Sequence, residues 1–332
     1  MKRILRVLGG LFVFLLVGAA AAMLYVRYAL PNVGPAPSLV IRADSAQVAR
    51  GRYLANHVAV CIDCHSTRDW SKMNGPLVAG TEGKGGEGFV REMSFPGNFY
   101  AANITPAHLG SWSDGEIYRA ITTGVSRDGH ALFPVMPYGS FGKADRSDIE
   151  AIIAYIRTLK SIKNEAIPAS SPDFPMSFNI NTIPGKNEHQ KRPDPSDELA
   201  YGRYLVSFAS CSDCHTPVNG QGEPLPGMYM AGGREFPMPG GTIRSANVTP
   251  HSTGIATYTR EAFIARFKAH ADAKNANTPV GEDGFNSIMP WRMYAGMTEQ
   301  DLGAIYTYLK SVKPVEHTVN KFSPKAGQIA KL

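Results

Sequence analysis

Cys61-Ile-Asp-Cys64-His65 recurs 150 residues later as Cys211-Ser-Asp-Cys214-His215. The two pentads hold all four cysteines of the 332 residues, so none is left for a disulfide. Their surroundings recur as well. Gly51-Arg-Tyr-Leu54 precedes the first pentad and Gly202-Arg-Tyr-Leu205 the second. Asn103-Ile-Thr-Pro106 returns as Asn247-Val-Thr-Pro250, and Val135-Met-Pro-Tyr138 as Ile288-Met-Pro-Trp291. Asp148-Ile-Glu-Ala-Ile-Ile-Ala-Tyr155 returns as Asp301-Leu-Gly-Ala-Ile-Tyr-Thr-Tyr308. A fixed order with slightly varying offsets is the pattern of a duplicated domain with unequal loops.

Each repeat reads as helical, so the expected fold is all-α with long loops. One helix, about residues 45–60, runs into the first pentad, and 197–210 does the same for the second. A second helix starts at Ser113-Asp-Gly-Glu116, a capping-box pattern, and its counterpart starts near Thr259. A third spans about 145–159, with Ile149, Ile152, Ile153, Ile156 and Leu159 at helical spacing; its partner spans 298–312. No run of alternating strands stands out. The expected organisation is an N-terminal anchor over 1–30, a linker over 31–44 and domain 1 over 45–163. A linker with six prolines (164–196) follows, then domain 2 over 197–316 and a solvated tail over 317–332. Phe174, Met176 and Phe178 predict that part of the proline-rich linker packs as a strap.

Twenty uncharged residues, Val7 to Val26, separate Arg6 from Arg27. A helix of that length spans about 30 Å, the thickness of a bilayer's hydrocarbon core. The basic cluster Lys2, Arg3 and Arg6 precedes it. This predicts a single-pass helix in the cytoplasmic (inner) membrane, with the rest of the chain in the periplasm. A cleaved signal peptide is the competing reading, with Ala19 to Ala22 as a cleavage region. Met23-Leu-Tyr-Val26 extends the apolar run past the alanines and favours the anchor. The formal charge of +6 owes four units to Lys2, Arg3, Arg6 and Arg27, and no basic stripe points to nucleic acid.

The pentad spacing carries the chemistry. Two thiols a helical turn apart reach the two vinyl groups of one haem, and the adjacent histidine ligates the iron. Two pentads therefore predict two covalently bound haem c groups, on Cys61, Cys64, His65 and on Cys211, Cys214, His215. A zinc site would need two knuckles close together. A thioredoxin-like pair would need a βαβ setting. Met136 and Met289, each before a proline and an aromatic residue at matched positions, are the expected second axial ligands. Methionine opposite histidine suits an electron carrier. The iron ligands expected are thus His65 with Met136 and His215 with Met289. Met228, Met230, Met293 and Met297 compete in the second repeat. His57, His108, His130, His251 and His270 lack partners in the other repeat and read as surface or loop histidines rather than ligands. Gly83-Lys-Gly85-Gly-Glu-Gly88 matches a dinucleotide fingerprint, but it follows no strand and opens no helix. It reads as a loop beside a haem, with Asn103, Thr105 and their counterparts as loop-forming residues.

These motifs together resemble class I cytochromes c. More narrowly, the chain resembles the cytochrome c subunits of membrane-bound alcohol, gluconate and sorbitol dehydrogenases. The matching features are Gly-Arg-Tyr-Leu, Cys214-His-Thr-Pro217, the two Asn-(Ile/Val)-Thr-Pro motifs, Trp112-Ser-Asp-Gly-Glu116, Met136-Pro-Tyr138 and Phe174-Pro-Met-Ser-Phe-Asn179. The likeness covers about residues 45–315. It implies two tandem cytochrome c domains and no catalysis of the chain's own. It also implies passage of electrons from a periplasmic dehydrogenase towards a cytochrome or oxidase of the respiratory chain. Those subunits typically carry three haem domains, whereas two pentads occur here. The rival expectation is a dihaem peroxidase-like enzyme with one open iron, and the two Met-Pro motifs argue against it.

Overall fold

The computed structural model describes residues 2–164, 167–272, 278–281 and 283–325. Helix α1 (Lys2–Tyr28) stands apart with none of its residues buried, and it is long and apolar enough to cross a membrane. The longer of the remaining helices fall into two matching sets. In the first half these are α2 (Ser45–Tyr53), α3 (Asp114–Thr123) and α4 (Arg146–Arg157). In the second half they are α5 (Glu198–Phe208), α6 (Arg260–Lys268) and α7 (Glu299–Ser311).

Side chains set the starts of these helices. Asp44, Asp145, Asp197, Thr259 and Thr298 each accept from a backbone N–H of the first turn. The capping box of α3 is complete: Ser113 Oγ accepts from Glu116 N at 3.2 Å, and Glu116 Oε2 accepts from Ser113 N at 2.7 Å. Such a cap stabilises by about 1 kcal/mol. After α2 the chain continues as a wider π-helical turn, Leu54–Val58.

In each half the first helix packs on the last, α2 on α4 and α5 on α7. The glycine of Gly-Arg-Tyr-Leu is the contact point. A Cβ on Gly51 would lie 1.8 Å from the Ala151 carbonyl oxygen, and one on Gly202 would lie 2.0 Å from that of Ala304. Only glycine allows the backbones to approach so closely. Leu54, Ile149, Ile152, Ile153, Leu205 and Leu302 are buried beneath these crossings, in one apolar cluster that runs through both halves. Each such side chain contributes about 1.5–3 kcal/mol.

The all-α expectation needs a correction, because each half also carries a small antiparallel sheet. In the first, β1 (Gly88–Phe89) pairs with β2 (Gly97–Tyr100), which pairs with β3 (Ser171–Pro172). In the second, β4 (Glu235–Met238), β5 (Gly241–Arg244) and β6 (Phe322–Pro324) repeat that order. Strands of two to four residues leave too little alternation to read from sequence. The third strand in each case comes from the chain beyond the last helix. Ser171–Pro172 of the proline-rich segment and Phe322–Pro324 of the tail therefore pack on the domains they follow. Residues 31–44 also pack: Leu39 and Ile41 lie on the core, and Ile41 N donates to Asp114 Oδ2 at 2.8 Å. Met176 and Phe178 are half-buried as a strap would have them, but Phe174 is 85% exposed.

Candidate functional site

Each pentad is preceded by a left-handed residue, Val60 (φ 46°) or Ser210 (φ 53°), and opens with one turn of helix. That turn places the two thiols on successive positions of one spiral, and the cysteines are free. Burial pushes the Cys61, Cys64 and Cys211 thiols up to about 12, and it also raises Cys214. Burial likewise pushes the His65 and His215 imidazoles below their ordinary range, against an opposing hydrogen bond to a carbonyl.

That hydrogen bond belongs to a closed arrangement that the sequence reading missed. His65 Nδ1 donates to the Ala102 carbonyl at 2.7 Å. The His65 carbonyl accepts from Gly85 N at 2.8 Å. Gly85, at φ +74°, presses on the Ala102–Asn103 peptide, where a Cβ would lie 2.5 Å from the Ala102 carbonyl carbon. The second half is the same: His215 Nδ1 to Ala246 O at 2.8 Å, Gly232 N to His215 O at 2.7 Å, and Gly232 at φ +72° against the Ala246–Asn247 peptide. Backbone alone thus fixes each ring and its tautomer and leaves Nε2 free of hydrogen bonds among the described residues. A ligating histidine needs this kind of outer support. The only sequence signal was a glycine run before each Ala-Asn-(Ile/Val)-Thr-Pro.

Asn103 and Asn247 hold the same loops. Asn103 Oδ1 accepts from Thr105 N at 2.9 Å, while its Nδ2 donates to Ile162 O at 2.8 Å. Asn247 repeats this with Thr249 N at 2.9 Å and Val315 O at 2.9 Å. Both motifs therefore clamp the loop to the chain that follows the last helix. The Gly83–Gly88 run is part of this loop and leads into β1 rather than a helix.

Met136 and Met289 are half-buried against the core. Each sits in the same tight turn: Tyr138 N donates to Met136 O at 2.7 Å around Pro137 (φ −78°, ψ 57°). Trp291 N donates to Met289 O at 2.7 Å around Pro290 (φ −77°, ψ 58°). These are inverse γ-turns. Among the competing methionines, Met230, Met293 and Met297 are buried in the core. The unmatched histidines have local roles. His57 Nδ1 donates to Met293 O (2.8 Å), His130 contacts Asp128 (2.5 Å), His251 contacts Thr253 (3.0 Å) and His270 stacks on Trp291 at 4.6 Å. His108 lies tilted against Trp112.

Tyr294 ends a short helix, Trp291–Tyr294, that packs on Leu54–Val58 of the first half. Its hydroxyl, buried, donates to Ala209 O at 3.1 Å. Burial raises its pKa, and the charges of Cys211, Cys214, Asp63 and Cys64 add to the rise. The surroundings of the pentads differ between halves. Asp63 is buried and paired with Arg68 at 3.0 Å, whereas in the second half Arg234 donates to the backbone carbonyl of Asp213. A cavity of about 530 Å³ lies at the boundary, lined by Asp63, Asn74, Val78, Pro290, Arg292 and Met293.

Paired thiols on one turn and an imidazole held through Nδ1 suit a covalently attached haem, with Nε2 left for the iron. Comparison with known proteins agrees. The cytochrome c family profile matches residues 199–313. The fructose dehydrogenase cytochrome subunit of Gluconobacter japonicus is 30% identical over 290 residues, covering 81% of this chain and 53% of that protein. The cytochrome c subunit of the quinone alcohol dehydrogenase of Gluconacetobacter polyoxogenes is 28% identical, covering 82% and 57%. A dihaem cytochrome c-type protein of Cereibacter sphaeroides is 27% identical, covering 77% and 83%. The chain thus spans about half the length of the dehydrogenase subunits it matches. Residues 199–313 thus belong to the cytochrome c family, and the chain as a whole is similar to the cytochrome c subunits of dehydrogenases.

Proposed function

We propose that the chain holds two haem c groups in tandem units, 45–163 and 197–316, and relays electrons between a dehydrogenase and a respiratory acceptor. His65 with Met136 and His215 with Met289 are the axial pairs, and the thioethers form on Cys61, Cys64, Cys211 and Cys214. The observation that carries this reading is the duplicated geometry. The His–carbonyl–Gly support and the Met-Pro γ-turn occur in both halves with nearly the same distances and angles.

Haem c supplies a one-electron iron couple. The polypeptide's part is to hold each imidazole at Nδ1 and present each sulfur from a turn that proline stiffens. Rigid ligands need little rearrangement between redox states. Helix α1 is the single membrane span, with the folded part in the periplasm. The relatives' names point to a dehydrogenase catalytic subunit as the donor.

A redox titration followed by optical and magnetic spectroscopy tests the relay. Two low-spin His/Met centres are expected. A high-spin centre open to water or peroxide in the oxidised protein would favour the peroxidase-like alternative for that half.

A further inference from the structure

The proline-rich segment carries an apolar surface that neither haem unit uses. Phe174 is 85% exposed, and Ile183 is 36% exposed. Between them lie a short helix, Met176–Asn179, and a 3₁₀ turn, Ile180–Thr182, both packed against the end of α1. One hydrogen bond gives the level of that contact: Asn181 Nδ2 donates to Val26 O at 3.2 Å. Val26 is the last residue of the uncharged run, and Arg27 follows it. At 1.5 Å per residue, Asn181 sits within about one helical turn of the edge of the hydrocarbon layer. Tyr25 and Tyr28, 59% and 80% exposed, occupy the interfacial position where aromatic side chains concentrate.

A second observation keeps the folded part low over that plane. Residues 37–41 are already bound to the first half: a Cβ on Gly115 would lie 1.8 Å from the Pro37 carbonyl oxygen, and Ile41 N bonds Asp114. The free tether from Tyr28 is therefore short. On the other side of the strap, Asp173 is held by Arg91, with Nε to Oδ2 at 2.7 Å. The strap is thus attached to the first half at one end and to α1 at the other, with Phe174 pointing at neither.

We propose that residues 174–183 form a second membrane contact, in which Phe174 and Ile183 enter the bilayer at the headgroup–acyl boundary. This rests on the reading of α1 as a membrane span. Its consequence is orientation: a helix alone lets the haem units swivel, whereas a helix plus a lateral apolar contact holds one face of the first half towards the lipid.

Full-length haem-loaded protein in phosphatidylcholine vesicles tests it. Every native cysteine is used by the pentads, so a single added cysteine takes a bimane label specifically. Leu15→Cys, Phe174→Cys, Ile183→Cys and Lys186→Cys are labelled in turn. Each is quenched by lipid brominated high on the acyl chain and by aqueous iodide. The expected result is lipid quenching at 15, 174 and 183, and at least two-fold more iodide quenching at 186 than at 174. Iodide quenching at 174 and 183 equal to that at 186, with 15 still in lipid, overturns the strap contact and leaves the anchor standing. Shielding of 174 and 183 from both quenchers means a protein covers them and also overturns it. Absence of lipid quenching at 15 removes the anchor and the strap contact together.

Discussion

The Tyr204 hydroxyl donates to Asp148 Oδ2 at 2.7 Å across the boundary between the two halves. Tyr53 donates to Asp301 in the opposite direction. Tyr53 and Tyr204 come from the two Gly-Arg-Tyr-Leu motifs, and Asp148 and Asp301 open the matching last helices. The halves are therefore joined by a reciprocal pair of contacts about a local two-fold relation. Phe141 against Phe208 (5.9 Å) and His57 against Met293 lie in corresponding places of the same interface. Burial first, then the aspartate, raises the pKa of both tyrosines, so both stay protonated donors.

Removing those donors should loosen the boundary more than it harms either half. Asp148 keeps Arg50 at 3.0 Å as a partner after Tyr204→Phe. The single change should cost about 1.5–3 kcal/mol, the range for a hydrogen bond to a charged group. Tyr53→Phe with Tyr204→Phe should separate urea unfolding into two transitions. A single transition with an unshifted midpoint would show that the apolar contacts alone hold the halves.

Gly232→Ala tests the support of the second histidine. The new Cβ would lie 2.3 Å from the Ala246 carbonyl carbon at a φ of +72°. The peptide that holds His215 Nδ1 must then shift. The second centre should lose a clean low-spin signature and some stability, about 1–3 kcal/mol, while the first keeps its spectrum. Magnetic circular dichroism of the variant reads both.

Met136→Ala and Met289→Ala should each open one centre, lower its potential and leave the other largely intact, since sulfur opposite histidine raises the potential. An unchanged titration curve in either variant would assign the ligand to a different side chain.

His57 gives the boundary a pH dependence. Burial lowers its pKa, Met293 O opposes this and Lys268 adds to it. An unfolded histidine takes its proton near pH 6.5, whereas the folded one resists. More protons are bound unfolded, so the contribution is present above pH 6.5 and lost as pH falls below it. Urea midpoints measured from pH 7 to 5 should fall less steeply in His57→Gln than in the parent. Parallel slopes would remove His57 from this role.

Much of the site was legible because local chemistry sets it. The pentads, the capping box at Ser113 and the caps at Asp145 and Thr298 each work within a few residues. The inverse γ-turns could be anticipated only as a repeated Met-Pro-aromatic pattern. The sheets escaped because β1 and β3 are two residues long, and their pairing is made by chain from beyond the last helix. The exposure of Phe174 escaped as well. An aromatic residue in a loop looks the same on paper whether it packs on protein or faces outward.

The sequence by itself determined the duplication, the covalent attachment motifs and the matched methionines, since each is a repeated short pattern with a chemical reason. Tertiary structure alone decided what holds each imidazole and how the halves meet. Ala102 and Gly85 act through backbone atoms, which carry no residue signature. Tyr204 and Asp148 are 56 positions apart, and only the packing of one half against the other brings such partners together.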